Sequence, residues 1–373
     1  SAILNLDDDT NGARSIYQVM NTVIAAEQFT AIQDFTVTRG GAAEYPTYTS
    51  YFFNVPENAS AFKIDLEIHH GTVRLRFMRP TGKEFDQAHD TPLRWSPEYQ
   101  TGGSMDRIIV EPEPGVWEVI VENQNLLVPG DSEARRARFL ITATVYGAEC
   151  RSVANQLTTR VRKVSNRYQV QFTNHFASFN GSFIETPLAS VFSTRTVIAD
   201  GNDLLIYEIN VPEGAGTLKA RIDGPSTKTA DVDLYLYFCA KECALKAFSA
   251  RSGVREQVAI AQPKGGKWKV VIDPISIGPG PLLLDYFDIF THAAFGTLTP
   301  LNPNVVLAKG TSSRIGFVTK IDALPVNGRR LVGLGEVIAR ELAIVRYEYN
   351  ANTKTIVPVK ERVALAETLI EPD

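Results

Sequence analysis

Asn54-Val55-Pro56-Glu57 occurs again as Asn210-Val211-Pro212-Glu213, 156 residues later in the chain. Each copy is followed by a Gly-x-Trp-x-Val run, Gly115–Val119 in the first copy and Gly266–Val270 in the second, and the two Trp positions are 151 residues apart. A solenoid repeats about every 20–50 residues, whereas this offset is much longer. The pattern therefore indicates two copies of one domain.

Each copy has the pattern of a β-domain. Proline donates no hydrogen bond to a strand ladder, so the Pro of each motif marks a strand end. After the first motif, Phe62, Ile64, Leu66 and Ile68 alternate with polar residues, a period of two that is typical of a strand with one buried face. We expect both Trp residues in the core. The fold class predicted is all-β, with tandem β-sandwich or jelly-roll domains.

A helix is expected only near the start, over residues 13–27, where Ile16, Val19, Met20 and Val23 are spaced three and four apart. Glu336–Leu342 is compatible with either a strand or a helical turn. The predicted division of the chain is 1–41 (helix and lead-in strand), 42–148 (first sandwich), 149–202 (β-rich connection, open to belonging to the second sandwich), 203–297 (second sandwich) and 298–373 (small C-terminal β unit).

Composition limits the classes of function. The chain has 373 residues, with 44% hydrophobic and 21% charged residues, which is typical of globular domains. Its formal net charge of −4 makes nucleic acid an unfavourable partner. No apolar run approaches the ~20 residues that a membrane span requires, so we expect no membrane span.

The second copy resembles the pre-peptidase C-terminal modules of secreted bacterial subtilisin-like serine proteases. The resemblance rests on Val211–Gly214, Ala230–Tyr237 and Pro263–Val271, with Asp231-Val-Asp-Leu-Tyr-Leu as the most specific run. It covers 203–296 well and 48–147 weakly, because Thr72–Phe77 lacks the Asp pair. The resemblance implies a secreted accessory part of an extracellular protease, whose partners are a catalytic subtilisin-like domain or chain and a protein or polysaccharide substrate.

Subtilisin-like proteases use Asp, His and Ser in that order along the chain. The sequence offers Asp7–Asp9, His70-Gly-Thr and Gly-Thr-Ser312 in this order. Each of the last two is followed by an alternating strand pattern instead of the helix that the family places there. We therefore expect no catalytic site in this chain.

Calcium is the one cofactor that the sequence suggests. Asp7, Asp9 and Asn11, followed by Gly12, match the opening of a calcium loop, which wraps a hard cation with oxygen ligands from alternate positions. Gln18 stands where the closing acid would be. The alternative is a solvated acidic segment that caps the predicted helix. A second possible oxygen cluster consists of Asp200, Asp203, Asp231 and Asp233.

Cys239 and Cys243 flank Ala-Lys-Glu after a predicted strand. A three-residue hairpin tip would place the two cysteines opposite each other, near disulfide distance. A disulfide would favour export, because oxidising compartments preserve such bonds. Cys150 is left single and is predicted to be a small buried residue.

Three hypotheses about function remain open. The first is a non-catalytic accessory region of an extracellular subtilisin-like protease that supports stability, secretion or binding. The second is a free-standing secreted binding protein for carbohydrate or a cell surface, which an exposed row of aromatics on one sandwich face would favour. The third is an unrelated enzyme whose site is assembled from scattered residues.

Overall fold

The structure is a computed structural model, and it describes residues 2–7, 15–21, 24–85, 99–124, 135–152, 165–201, 203–224, 230–251, 253–350 and 355–370. The predicted all-β class is confirmed, since the helical segments in these ranges are two 3₁₀ turns, Ala31–Gln33 and Ala293–Phe295. In the same ranges no helix is long and apolar enough to cross a membrane.

The predicted N-terminal helix is wrong. Strand β1 (Ala2–Asp7) pairs antiparallel with β2 (Ser15–Asn21), with Ala2 opposite Asn21. Ile16 and Val19 are β-branched and Tyr17 is aromatic, and such side chains favour strands over helices. The three-and-four spacing of apolar residues arose because nearly every second or third residue there is apolar, which also suits a strand.

One sheet builds the first sandwich by bending over itself. Its strands are β3 (Glu27–Gln28), β4 (Thr36–Glu44), β5 (Tyr48–Val55), β6 (Ala61–Met78), β7 (Tyr99–Val110), β8 (Gly115–Asn123) and β9 (Arg136–Tyr146). The first half of β6 pairs with β9 and its second half with β8. Gly71 lies at the bend with φ of +87°, and a Cβ there would stand 2.9 Å from the Cα of Ala137. Glycine is therefore required at the bend.

The remaining strands follow in chain order. They are β10 (Ala148–Ser152), β11 (Ser165–Asn174), β12 (Phe179–Ser182), β13 (Thr186–Pro187), β14 (Ala189–Ile198), β15 (Leu205–Val211), β16 (Ala215–Asp223), β17 (Ala230–Cys239), β18 (Cys243–Ser249), β19 (Glu256–Ala261), β20 (Gly266–Ile277), β21 (Leu282–His292), β22 (Gly296–Pro300), β23 (Asn304–Leu307), β24 (Ser312–Ile321), β25 (Arg330–Asn350) and β26 (Thr355–Ile370). The segment 336–342 is thus a strand, inside β25.

The second sandwich repeats the topology of the first. Its sheets run β15-β20-β17-β18 and β14-β21-β16-β19, and the first sandwich has β5-β8-β6-β7 and β4-β9-β6-β7 in the same places. Trp117 pairs with Phe53 on the neighbouring strand, and Trp268 pairs with Ile209. Both Trp side chains are buried, at 1% and 2% exposure. The two copies predicted from the repeated motif therefore share one strand order, with Trp in equivalent core positions.

A third core is split by the second sandwich. Strands β10–β13 precede the sandwich in the chain and β22–β26 follow it, yet β11 pairs with β24 and β13 with β22. This C-terminal unit packs around Phe172, Phe183 and Phe317. Strand β14 of the second sandwich also pairs with β25, with Ala189 opposite Val332. The second sandwich is therefore inserted into the C-terminal unit and shares a sheet with it.

The predicted domain boundaries stay predictions. Strand β4 crosses the boundary at 41/42, because it pairs along its length with β9. Segment 149–202 divides between two units, since β10–β13 serve the C-terminal unit and β14 serves the second sandwich. Cys150 is half-buried beside the core of the C-terminal unit.

Candidate functional site

Of the three predicted calcium residues, the structure describes one. Asp7 ends β1, and Asp9 and Asn11 lie outside the described residues. Within the part of the chain that the structure describes, no group of three or more His, Cys, Asp and Glu side chains is arranged to hold a metal ion. The four residues of the second oxygen cluster, Asp200, Asp203, Asp231 and Asp233, are all described and do not form such a group. Calcium at the N-terminal loop stays a prediction.

The two cysteines of the predicted hairpin are joined. Cys239 ends β17, Cys243 begins β18, and the two residues are directly opposite in the strand pairing. Their sulfurs are bonded, and their Cα atoms are 4.0 Å apart. The disulfide closes the outer corner of the four-stranded sheet of the second sandwich.

His70 and Ser312 lie in different units. His70 lies on β6 of the first sandwich, opposite Arg138 of β9. Ser312 begins β24 of the C-terminal unit, and its hydroxyl lies 2.8 Å from the hydroxyl of Thr173. Both residues are in strands, as their sequence context predicts, and neither precedes a helix.

An apolar row crosses the outward face of the second sandwich. The pairing places Ile206, Val271, Tyr235 and Phe248 side by side across the four strands β15, β20, β17 and β18. Ile206 is 53% exposed, whereas Val271 and both rings are half-buried. The rings of Tyr235 and Phe248 are nearly parallel, with centroids 6.2 Å apart.

The next row contains Tyr237 opposite Leu245, which is 45% exposed. We call these two residues and the four of the crossing row the aromatic face. Strands lie about 4.8 Å apart, so four strands give a surface roughly 15–20 Å wide.

Three aspartates border one side of the aromatic face. Asp233 lies directly opposite Asp273 across β17 and β20. The hydroxyl of Tyr235 donates a 2.9 Å hydrogen bond to Asp233, and the backbone N–H of Gly253 donates one of 2.9 Å to Asp231. Burial, reinforced by the charges of Asp231 and Asp273, raises the pKa of the Asp233 carboxyl. Burial and the bond to Asp233 also raise the pKa of the Tyr235 hydroxyl.

Lysines border the opposite side of the aromatic face and are already paired. Glu208 lies 2.7 Å from Lys267 and 3.7 Å from Lys269. The hydrogen bond from Lys267 lowers the pKa of the Glu208 carboxyl. The aromatic face is therefore negative on one side, whereas the other side, with two lysines and one glutamate, keeps one excess positive charge.

The same surface of the first sandwich is different. In the strand register, Arg76 occupies the position of Tyr235, because Arg76 pairs with Ile120 as Tyr235 pairs with Val271. Arg76 lies 2.7 Å from Glu84 and 2.8 Å from Glu122. One copy of the sandwich thus carries an ion-pair network where the other carries rings.

Sequence reasoning missed Tyr237 and Phe248 as surface residues. The signal was present in Asp231-Val-Asp-Leu-Tyr-Leu-Tyr237, because alternation along a strand places its two Asp and two Tyr residues on one face. From the sequence, this run is interpreted as a family motif, and its two Asp residues as part of a possible oxygen cluster. Phe248 has no such signal, because its place beside Tyr235 depends on the register of β18.

A buried carboxyl supports the loop behind the aromatic face. Glu256 is 1% exposed and accepts hydrogen bonds from the Ser249 hydroxyl and from the Arg251 backbone N–H. Burial raises its pKa to about 8. The Arg251 guanidinium in turn donates to the backbone oxygen of Glu111 at 3.0 Å, which links the two sandwiches.

A surface hollow lies on the first sandwich. It encloses about 680 Å³ between β6 and β7 and is lined in part by Lys63, Asp65, Glu67, Ser104 and Asp106. Lys63 and Asp65 are paired at 2.7 Å. Across β6 and β7, Ser104 lies directly opposite Glu67.

Comparison with known proteins gives one similarity in sequence. No protein-family model matches the chain. The chain is 24% identical to pyrolysin of Pyrococcus furiosus over 263 residues, which cover 70% of this chain and 17% of pyrolysin. It therefore corresponds to a small part of the length of that protein.

Two solved structures show low likeness. Tripeptidyl peptidase 2 matches over 100% of this chain and 33% of that chain, with a TM-score of 0.42 and 10% identity. The lipase BlEst2 of Bacillus licheniformis in propeptide form matches over 43% of this chain and 40% of that chain, with a TM-score of 0.22 and 15% identity. Likeness of this size carries no argument about function.

Proposed function

We propose that this chain is a non-catalytic accessory region of an extracellular subtilisin-like serine protease, which supports the stability, secretion or substrate binding of that enzyme. The observation that carries the proposal is the similarity to pyrolysin, a subtilisin-like protease, over 70% of the chain. The motifs of the second sandwich point the same way. The proposed partners are a catalytic subtilisin-like domain and its protein or polysaccharide substrate.

The absence of catalysis in this chain is part of the proposal. A serine nucleophile needs a base in reach, and that base needs a third group to orient it. The described contact of the Ser312 hydroxyl is the hydroxyl of Thr173, which is no base. His70 lies on a strand of another unit. The Cys239–Cys243 disulfide supports an extracellular location, because such bonds persist in oxidising compartments.

The accessory role is tested by exchange. The region of pyrolysin similar to this chain is deleted, or replaced by this chain, or replaced by an unrelated β-sandwich of equal length. We expect this chain, and not the unrelated sandwich, to restore secretion and heat stability of the protease. Equal performance of the two replacements would contradict the proposal.

Hydrolysis is tested on the chain alone. We expect no cleavage of casein and no labelling of Ser312 by a fluorophosphonate probe. Labelling that disappears in His70→Ala would make the chain a protease and end the accessory proposal.

The second candidate is a free-standing secreted binding protein for carbohydrate or a cell surface. The aromatic face favours it, since half-exposed rings on a flat sheet form contact surfaces. Affinity electrophoresis in gels that contain soluble polysaccharides tests it. Retarded migration that is lost on replacing Tyr237 would support this candidate.

A further inference from the structure

The outward surface of the sheet differs between the two copies of the sandwich, whereas the core does not. The buried positions keep their role, with Trp117 and Trp268 in equivalent core sites. The outward position differs, since Arg76 has two carboxylate partners and Tyr235 has a neighbouring ring. The first sandwich shows that a charged, self-paired surface suits this fold. The rings of the second sandwich are therefore not required by the fold.

The charges beside the rings define what would bind there. Asp233 and Asp273 stand directly opposite each other, and like charges in that arrangement destabilise a sheet. Lys83 of the first sandwich acts on the Asp233 carboxylate only by charge–charge attraction. A cationic group placed beside Asp273 would relieve this repulsion.

We propose that the aromatic face binds an extended polypeptide segment that carries arginine or lysine side chains. A guanidinium stacks on Tyr and Phe rings and forms paired hydrogen bonds with a carboxylate. The aromatic face offers both within one sheet, because Tyr235 and Phe248 lie in the row next to Asp273, and Tyr237 lies one row further, opposite Lys269. Its width of roughly 15–20 Å accommodates about five extended residues.

Two other occupants fit less well. A neutral polysaccharide would stack on the rings but would bring no cation to Asp273, which lies directly opposite Asp233. A second copy of this chain would bring Lys267 and Lys269, but Glu208 already engages both ammonium groups, at 2.7 and 3.7 Å. Charge complementarity therefore favours a basic polypeptide.

The inference deepens the proposed accessory role, because it names the substrate class. It rests on that role only where peptide binding is interpreted as substrate binding. The binding itself is measured on this chain without any protease. A failure to bind the peptide leaves the exchange experiment in pyrolysin unaffected, so the two proposals fail separately.

The test uses a flexible Gly-Ser-Arg repeat peptide of about twelve residues. Matched peptides carry Glu or Gln in place of Arg, and soluble xylan serves as a neutral polysaccharide. Binding is measured by calorimetry at about 0.05 M and 0.3 M salt. The variant Tyr237→Thr/Asp273→Asn removes one ring and one charge from the aromatic face. The control Phe52→Thr/Glu118→Gln makes the same kind of change on the matching surface of the first sandwich.

We expect the Arg peptide to bind, the Glu and Gln peptides and xylan not to bind, and salt to weaken the binding. The variant of the aromatic face should lose affinity by about tenfold or more, and the control variant should keep it. Circular dichroism and melting curves confirm that both variants are folded. Equal binding of the Arg and Gln peptides, binding of xylan alone, dimerisation that the Tyr237 variant abolishes, or no binding would overturn the inference.

Discussion

Trp117 and Trp268 donate their indole N–H groups to the backbone oxygens of Glu113 and Lys264, in each case four residues earlier and at 2.8 and 2.9 Å. The turn between donor and acceptor ends in Gly115 and Gly266, with φ of +124° and +134°. The repeated Gly-x-Trp motif therefore specifies the same turn, with the same indole hydrogen bond, in both copies. A left-handed glycine reverses the chain so that a buried indole reaches the backbone of its own turn.

Replacing either Trp by Ala should lower the free energy of unfolding by about 3–5 kcal/mol, because each change leaves a large cavity and an unpaired carbonyl. Urea unfolding followed by circular dichroism measures the loss. Val116→Ala, an exposed neighbour, should change stability by less than about 0.5 kcal/mol. A loss for one Trp alone would mean that the two core sites are not equivalent in energy.

Replacing Glu256 by Gln should change how stability depends on pH. Burial raises the pKa of Glu256 to about 8, above its ordinary value of 4.5. Its contribution is therefore fully present below the ordinary value and is lost as pH rises through about 8. Glu256→Gln should raise stability at neutral pH by roughly 1–3 kcal/mol and flatten the profile.

Melting temperatures between pH 4.5 and 9 measure the Glu256 effect. Glu242→Gln, at the exposed hairpin tip, is the control and should leave the profile unchanged. A steep loss of stability from pH 4.5 to about 8 that persists in Glu256→Gln would show that another group is responsible.

Arg329 anchors the loop before β25 to the second sandwich. It pairs with Asp288, which is 2% exposed, and its Nε donates to the Ser190 hydroxyl at 2.7 Å. Arg329→Met would leave a buried carboxyl whose remaining described side-chain partner is the Tyr286 hydroxyl. We expect a loss of about 3–5 kcal/mol.

The double variant Arg329→Met/Asp288→Asn should recover much of that loss, because no buried charge is left unpaired. Chemical unfolding of the two single variants and the double variant gives the coupling energy. Additive losses would argue against a coupled pair.

The Cys239–Cys243 disulfide should be present in protein that has never been reduced. A non-reduced peptide that spans the hairpin should be lighter by two hydrogens. The closed loop is short, so Cys239→Ser/Cys243→Ser should cost less than the roughly 3 kcal/mol expected for a fifteen-residue loop. Labelling of both thiols in fresh protein would count against the bond.

Calcium should raise the melting temperature through Asp7, Asp9 and Asn11. A ligand that binds only the folded state at a hundredfold excess over its Kd adds about 2.7 kcal/mol. Asp9→Asn should abolish the shift and Asp203→Asn should preserve it. A melting temperature that neither chelator nor calcium changes would remove calcium from the proposal.

The sequence predicted what depends on local pattern. The strands around Phe62 and Tyr235 follow from alternation, and the Cys pair follows from a short hairpin. The segment around Ile16 was mistaken for a helix, because its apolar residues are dense enough to satisfy both periods. The place of Phe248 beside Tyr235 depends on the register shift between Leu236 and Tyr237 in the hairpin, and the pairing of Arg76 with Glu122 spans 46 residues of the chain. Alternation along one strand does not report a bulge in its pairing or a partner strand distant in the chain.

The inserted position of the second sandwich sets an order for folding during synthesis. Strand β11 pairs with β24, with Tyr168 opposite Phe317, so this pairing cannot form until β24 has been synthesised. The whole second sandwich is synthesised between the two strands. The ends of the insert lie side by side, because Ala189 is directly opposite Thr291. Once folded, the insert draws the two halves of the C-terminal unit together. It converts the closure of a long loop, which is slow and entropically costly, into a short one.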